Sequence, residues 1–242
     1  MERDAFDLLT TAEADHWWFK GRRVFIRAAF QRLALRQGAR VLDAGCGSGG
    51  NLALLREFGE PFGFEYDQTA LAAAQQRGIG TVTHGSLPDG IPFPDERFDA
   101  VGLFDVLEHL EQPALSLSAI RARLVPGGAV VLTVPANPWL WGPHDVTHHH
   151  YRRYTARSLR ADLVSAGLEV EYLSYFNSLL LPLAILQRAK ERVVGYRADE
   201  VTPSPGLNRL LFRIWHTERR WIPNRQLPFG LSLIAIARNG RA

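Results

Sequence analysis

The part of the sequence most able to do chemistry is the glycine-rich run at residues 41–51, VLDAGCGSGGN. Its apolar start predicts a strand that enters a tight turn, where glycines permit positive φ and close approach of a ligand. A helix that opens after the turn directs free N–H groups at a carboxylate or phosphate. Gly45, Gly47 and Gly50 also fit the G-x-G-x-x-G spacing, which on its own is a weak signature of dinucleotide binding.

Asp43 separates two kinds of nucleotide cofactor. A carboxylate directly before the first glycine would repel a pyrophosphate, but it would attract a ligand with a cationic ammonium end. The methionine part of S-adenosylmethionine has such an end. Glu65, at the end of the next predicted strand, can hold the ribose diol of either kind of cofactor. Asp43 therefore favours S-adenosylmethionine and argues against the alternative of a nicotinamide-dependent oxidoreductase.

A second group of residues that could do chemistry is rich in histidine. His109 follows the fourth predicted strand, and residues 139–155, WLWGPHDVTHHHYRRYT, follow the fifth. Both should lie at the carboxyl edge of the sheet, where ligands bind in open α/β folds. A hydroxyl acceptor must lose its proton to a base whose pKa lies near the working pH, and histidine covers that range. Two other interpretations are open: these side chains only pin the loop, or they bind zinc. We predict no metal site, because we identify neither paired cysteines nor a helix bearing His-x3-His.

The elements that must position these residues alternate between short apolar strands and helices. Strands are predicted at 39–42, 62–65, 81–83, 98–103, 129–134, 168–176 and 231–237. Helices are predicted at 19–35, 51–57, 70–77 and 114–124, and Thr155 is expected to cap a further one that ends at Gly167. Such alternation is typical of a parallel sheet covered on both faces. Between Asn177 and Arg225, two amphipathic helices joined by a turn at 203–206 are predicted.

Composition limits the class of protein. The chain has 242 residues, a net charge of +3 and one cysteine, Cys46, which excludes an intrachain disulfide. The acidic N-terminus does not resemble a signal peptide, and the apolar stretch from Leu179 to Leu186 is too short to span a bilayer. We therefore expect a cytoplasmic protein. Residues 177–225 carry nine Lys/Arg against four Asp/Glu, which favours an anionic partner or a solvated basic face.

Five segments, in order, resemble the motifs of class I S-adenosylmethionine-dependent methyltransferases. They are residues 41–51 (first motif), 63–65 (second, acidic motif), 91–101 (IPFPDERFDAV, before strand four), 104–110 (FDVLEHL, fourth motif) and 124–128 (LVPGG, before strand five). The general organisation is similar to that of the ubiquinone-pathway O-methyltransferases. The resemblance implies a Rossmann-like, doubly wound α/β sheet of seven strands with the last antiparallel, and a helical insertion before that strand.

The resemblance also implies roles for matching positions. The implied cofactor-binding residues are Asp43, Gly45, Cys46, Gly47, Glu65, Tyr66, Ser86, Leu87 and Phe104. Ser86 departs from the family, which often has an acid there. The loop and the N-terminal HWWFKGRR segment resemble one bacterial branch. On that basis His109, His144 and His150 are the candidate catalytic residues, and Trp18, Asp145, Arg153 and Tyr154 are the candidate acceptor-binding residues.

The predicted organisation is a single methyltransferase domain over 1–242, made of an N-terminal helical lid (1–37), a core (38–176), the insertion (177–227) and the last strand (228–242). The expected reaction moves a methyl group from S-adenosylmethionine to a small-molecule acceptor, at a hydroxyl of a lipid-like or secondary metabolite, and yields S-adenosylhomocysteine. Alternatives are a nucleic-acid methyltransferase, which no RNA-binding motif supports, and a non-catalytic cofactor-binding scaffold. Peripheral membrane contact through 177–226 and a homodimer are further partner hypotheses.

Overall fold

One sheet of seven strands runs through residues 15–194 and 203–240, the part of the chain that the computed structural model describes. The strands are β1 (Arg40–Ala44), β2 (Glu60–Glu65), β3 (Thr81–His84), β4 (Phe98–Phe104), β5 (Leu124–Pro135), β6 (Leu168–Phe176) and β7 (Ser232–Asn239). Their order is β3-β2-β1-β4-β5-β7-β6. Strands β1 to β5 pair in parallel, and β7 is antiparallel to both β5 and β6. The predicted Rossmann-like fold class is confirmed.

Helices cover both faces of this sheet. They are α1 (Trp17–Leu33), α2 (Leu52–Leu55), α3 (Gln68–Gln76), α4 (Pro113–Arg121), α5 (Pro143–Thr147), α6 (Ala156–Ser165), α7 (Leu181–Val194) and α8 (Pro205–His216). Strand β4, in the middle of the sheet, is buried along its whole length, as apolar strands between two helical layers are. Thr155 caps α6 as predicted, because its hydroxyl accepts a 3.0 Å hydrogen bond from the N–H of Ser158.

The prediction was wrong about where β5 begins. The segment Pro126-Gly127-Gly128 was assigned to a turn before the strand, whereas β5 starts at Leu124 and the preceding helix ends at Arg121. Leu124 pairs with Phe98 of β4, and the register shifts between Phe98 and Ala100. Residues 125–128 stand opposite the single residue Asp99 of β4, so the turn-forming sequence lies in a bulge of β5, which local propensity alone does not reveal.

The insertion contains the two predicted helices, α7 and α8, and then a short 3-10 turn, Thr217–Arg220. The predicted joining turn is partly wrong, because Pro205 and Gly206 already belong to the first turn of α8. Proline suits that position, since its missing N–H is not needed there. None of the described helices is long and apolar enough to cross a membrane.

Helix α8 packs against α1, and Trp215 is the centre of that contact. Its side chain is fully buried against Phe25 and Phe176, with ring centroids 5.5 and 5.8 Å away. Gly21 makes the approach feasible, because a Cβ at that position would overlap the indole of Trp215. The N-terminal helix and the insertion therefore form one packed layer over the sheet.

Candidate active site

A cleft of about 930 Å³ opens at the carboxyl edge of β1, β2 and β4, where the sheet topology predicted it. It is lined by the turn after β1, the ends of β2 and β4 with the residues that follow them, the segment after β3, the start of α3 and the first turns of α1. Predicted cofactor residues that line it are Gly45, Cys46, Gly47, Glu65, Tyr66, Ser86, Leu87 and Phe104. Of the predicted catalytic residues, His109 lines this cleft.

The turn after β1 is shaped by its glycines. Gly45 has φ of 76°, a conformation that favours glycine, and a Cβ there would lie 2.9 Å from a methyl of Val106. The N–H groups of Gly45 and Cys46 both donate to the carbonyl of Phe64, at 3.0 Å, and tie the turn to β2. Asp43 precedes this turn with 1% of its surface exposed, at the end of β1 and behind the residues that line the cleft.

Glu65 ends β2 and holds the turn in register. One carboxylate oxygen accepts from the N–H of Gly47 at 2.8 Å, and the other accepts from the N–H groups of Tyr66 and Asp67, both at 2.9 Å. A carboxylate has about four acceptor positions, so one remains for a ribose hydroxyl. Tyr66 is 72% exposed at the rim of the cleft, where a flat ligand can lie against its ring.

Arg22 and Asp105 form the floor of the cleft, and the sequence analysis missed both as site residues. The guanidinium of Arg22 on α1 forms an ion pair with the carboxylate of Asp105. Asp105 has φ of 58° and accepts a 3.0 Å hydrogen bond from the hydroxyl of Thr133. Asp105 lay within the quoted fourth motif, but no local signal ties it to an arginine more than eighty residues earlier.

His109 stands at the other end of the cleft, on the short turn after β4. Its ring meets that of His150 edge to face, with centroids 4.7 Å apart. Desolvation by the surrounding groups, and then the nearby His150, lower the pKa of His109, although the residue stays exposed to solvent.

Glu108, beside His109, was also missed. Its side chain is 1% exposed, and its Oε2 atom has no hydrogen-bond partner within residues 15–194 and 203–240. Burial, and then the neighbouring Asp105, raise its pKa well above the usual carboxyl value. The backbone carbonyl of Glu108 accepts from the N–H of Tyr151 at 2.8 Å and joins this turn to the histidine-rich loop. Glu108, His109 and His150 each bring one potential metal-ligand atom to within 4.8 Å of the others.

Asp145 organises the histidine-rich loop from a fully buried position. It accepts from Arg153 Nε at 2.7 Å and from the N–H of Gly142 at 2.9 Å, and it lies 3.0 Å from His150 Nδ1. Burial alone would raise the pKa of Asp145, but the hydrogen bonds from His150 and Arg153 outweigh it and lower the pKa. Asp145 and Arg153 thus position the loop, and neither side chain lines the cleft.

Three other candidates lie away from the cleft. Tyr154 is 1% exposed, and its hydroxyl donates to the carbonyl of Leu107 at 3.5 Å, within the core. Trp18, expected to face the site, stacks on Trp215 with centroids 5.1 Å apart. His144 is exposed at the surface and packs against His148, with ring centroids 4.2 Å apart. These two histidines have the His-x3-His spacing that was not identified from the sequence.

The comparisons with known proteins agree with this geometry. Residues 18–173 match a protein family described as a methyltransferase domain. The chain belongs to this family. Membership confirms the resemblance carried by the five motifs and confirms S-adenosylmethionine as the predicted cofactor. The assignment of individual site residues remains a prediction.

Two curated relatives and one solved structure illustrate the similarity. A probable S-adenosylmethionine-dependent methyltransferase of Mycolicibacterium smegmatis is 34% identical over 163 residues, 65% of this chain and 61% of that protein. A ubiquinone biosynthesis O-methyltransferase of Alkalilimnicola ehrlichii is 34% identical over 113 residues, 42% of this chain and 44% of that protein. The fold is similar, at 22% identity and a TM-score of 0.65, to a chain from the complex of the Haloferax volcanii methyltransferase activator Trm112 with a methyltransferase, covering 99% of this chain and 98% of that one. This chain thus spans about three fifths of the length of the Mycolicibacterium relative.

Proposed function

We propose that this methyltransferase domain transfers the methyl group of S-adenosylmethionine to a hydroxyl of a small, lipid-like acceptor. The observation that carries the proposal is that one cleft joins the glycine turn and Glu65 to His109. The glycine turn and Glu65 fit the cofactor, and His109 marks the end at which an acceptor can enter. The similarity to a ubiquinone biosynthesis O-methyltransferase supports a hydroxyl on an apolar molecule as the acceptor.

The chemistry asks mainly for alignment. The sulfonium of the cofactor is already an activated leaving group, so the enzyme must place the acceptor oxygen, the methyl carbon and the sulfur in line. Positioning of this kind is worth about 7–11 kcal/mol of the barrier. Phe104 and Val106 give the cleft apolar walls between its two ends. The acceptor oxygen gives up its proton to His109 or to water and bonds to the methyl carbon, while the carbon–sulfur bond breaks and its electron pair returns to sulfur. S-adenosylhomocysteine is the second product.

A turnover assay with labelled S-adenosylmethionine and a panel of quinols, phenols and lipid alcohols tests the proposal. At least one hydroxylated acceptor should be methylated, and His109→Ala should lower turnover while leaving the affinity for S-adenosylhomocysteine within about threefold. His149→Ala is the matched control, because His149 is exposed in the same loop and should behave as wild type. Methylation of tRNA or DNA, with none of the small hydroxylated molecules, would instead favour the nucleic-acid alternative.

We further propose that the insertion brings the domain to an anionic membrane that carries its acceptor. The outer side of α7 exposes Leu183 (53%) and Leu186 (68%), and Lys190 lies exposed on the same helix. Arg188 Nη2 lies 3.9 Å from Asp145 Oδ2, which links α7 directly to the histidine-rich loop. An exposed apolar face with basic residues beside it fits an interfacial helix.

The apolar stripe of α8 divides between two roles. Leu211 and Trp215 are buried against α1, so these two residues are not available to a membrane. Leu207 and Leu210 remain 45% and 53% exposed. They extend the apolar surface of the insertion beyond α7.

Flotation with phosphatidylglycerol vesicles at low and high salt tests the membrane proposal. Wild type should float at low salt, less at high salt, and Leu183→Ser/Leu186→Ser should lose most of the effect. Val164→Ser is the matched control, because Val164 is similarly exposed (59%) on α6. The result would be different if this surface bound a second copy of the chain. Wild type would then fail to float with anionic vesicles and would sediment as a dimer, and the double variant would sediment as a monomer.

A further inference from the structure

A cluster of metal-ligating groups lies at the acceptor end of the cleft. It consists of Glu108, His109 and His150, whose ligand atoms all lie within 4.8 Å of one another. The first two follow β4, and His150 comes from the loop after β5, so the site exists only in the folded chain. Two imidazole nitrogens and one carboxylate oxygen form a set that suits divalent first-row transition metals, with positions left open for other ligands.

Glu108 gives independent evidence that something is needed at this position. Its carboxyl group is 1% exposed, and Oε2 has no hydrogen-bond partner among the described residues. A buried carboxylate oxygen without a partner is unfavourable, so the group must either take up a proton or meet a positive charge. The two neighbouring arginines are already paired, Arg22 with Asp105 and Arg153 with Asp145. A bound cation would satisfy Glu108 directly.

His150 is held as metal-binding histidines usually are. Its Nδ1 lies 3.0 Å from Asp145 Oδ1, which leaves Nε2 as the nitrogen available to an ion. Asp145 is itself fixed by Arg153 Nε at 2.7 Å and by the N–H of Gly142 at 2.9 Å. A carboxylate behind a histidine fixes the tautomer and the ring orientation and raises the basicity of the ligating nitrogen. The loop therefore presents a preorganised ligand to the cluster.

We propose that Glu108, His109 and His150 bind one divalent transition-metal ion such as Mn²⁺, Fe²⁺, Co²⁺ or Zn²⁺. This revises the sequence expectation of no metal site. Paired cysteines and a helix bearing His-x3-His were the patterns sought in the sequence. The ligands proposed here instead come from two loops that meet in the folded chain.

The chemical role of the ion rests on the proposed function. His109 lines the cleft, so an acceptor oxygen can reach an open position on the ion. The ion acidifies the bound hydroxyl, whose proton leaves to water. The oxygen lone pair forms the bond to the methyl carbon, and the carbon–sulfur bond breaks with its electron pair returning to sulfur. The products are the methyl ether and neutral S-adenosylhomocysteine.

Direct titration of metal-free protein with Co²⁺ tests the site without any turnover. Visible absorption of the bound ion and calorimetry should report one equivalent. Glu108→Gln and His150→Ala should each weaken Co²⁺ binding at least tenfold, and His149→Ala should bind as wild type. His148→Ala separates this cluster from the neighbouring His144–His148 pair and should also retain binding. S-adenosylhomocysteine affinity should stay unchanged in Glu108→Gln, which shows that the variant is folded.

Absence of Co²⁺ binding by wild type, or binding that survives both Glu108→Gln and His150→Ala, would overturn the site. Full turnover by the metal-free protein would overturn the role of the ion in deprotonation. A protein that binds Co²⁺ through these residues but methylates no hydroxyl would overturn the proposed function and leave the metal site standing.

Discussion

The two ends of the cleft are built in different ways. At the cofactor end, backbone N–H groups of Gly45, Cys46 and Gly47 bond to β2 and to Glu65, all within twenty-five residues of chain. At the acceptor end, the loop side chains of His150 and Arg153 meet around one buried carboxylate, Asp145, which Arg188 of α7 approaches to 3.9 Å. A site made of backbone groups tolerates little variation in its sequence. A site made of loop side chains can change its ligand while the fold stays constant.

The most disruptive test of this contrast is Asp145→Ala. Removing the carboxylate leaves Arg153 buried without its ion-pair partner, and such a loss costs about 3–5 kcal/mol of unfolding free energy. Urea unfolding should show this loss, while calorimetry should show S-adenosylhomocysteine affinity within about threefold of wild type once the protein is folded. Cofactor affinity that falls in parallel with stability would show that the two ends are not independent.

The converse test is Glu65→Gln at the cofactor end. The amide keeps the shape of the side chain but weakens acceptance from Gly47 N–H and from a ribose hydroxyl. Charged hydrogen bonds contribute about 1.5–3 kcal/mol, so S-adenosylhomocysteine should bind roughly 10- to 150-fold more weakly. Wild-type affinity in this variant, measured by calorimetry, would remove Glu65 from the cofactor site.

Tyr66 sharpens the same comparison with a smaller effect. Its exposed ring is expected to lie against the adenine, and an aromatic contact of this kind is worth about 0.5–1.5 kcal/mol. Tyr66→Ala should weaken S-adenosylhomocysteine binding by roughly 2- to 13-fold. Tyr66→Phe, which keeps the ring, should bind as wild type. Equal loss in both variants would point to the hydroxyl group and would contradict stacking.

A surface ion pair far from both ends of the cleft serves as the reference for a small effect on stability. Glu171 accepts from Arg238 Nε at 2.8 Å and from Arg32 Nε at 3.1 Å. Partial burial opposes its ionisation, but these hydrogen bonds outweigh it and lower its pKa. A lowered pKa stabilises the fold above the unfolded value of about 4.3, and the gain is lost as pH falls through the folded value.

Glu171→Gln should therefore cost under about 1 kcal/mol at neutral pH, because exposed pairs contribute little. The difference from wild type should shrink below about pH 4. Urea unfolding at pH 7 and pH 3.5 checks both statements. A loss comparable to that of Asp145→Ala would mean that burial does not decide how much each carboxylate contributes to the free energy of unfolding.

The cofactor end of the site was more predictable from the sequence than the acceptor end. The strand, glycine turn and acid at Glu65 were predictable because each is local and the backbone conformation demands those residue types. The parallel sheet was predictable because short apolar strands alternate with helices along the chain, whereas the order of the strands was not predicted. By contrast, Glu108 was missed because burial of a carboxyl group depends on which loop folds over it. Trp18 was placed towards the site because its partner, Trp215, lies in a distant helix.

The docking of α1 on α8 has a consequence for how the chain is made. Asn208 Oδ1 accepts the N–H of Trp17 at 2.8 Å across a separation of 191 residues. During translation, α1 leaves the ribosome well before the helix that will cover this part of its surface. At a translation rate of about 5–20 residues per second, α1 spends roughly 10–40 seconds without α8 packed against its aromatic face. The packing of Trp17, Trp18 and Phe25 against Trp215 is accordingly a late step of biosynthesis, completed when the insertion has been synthesised.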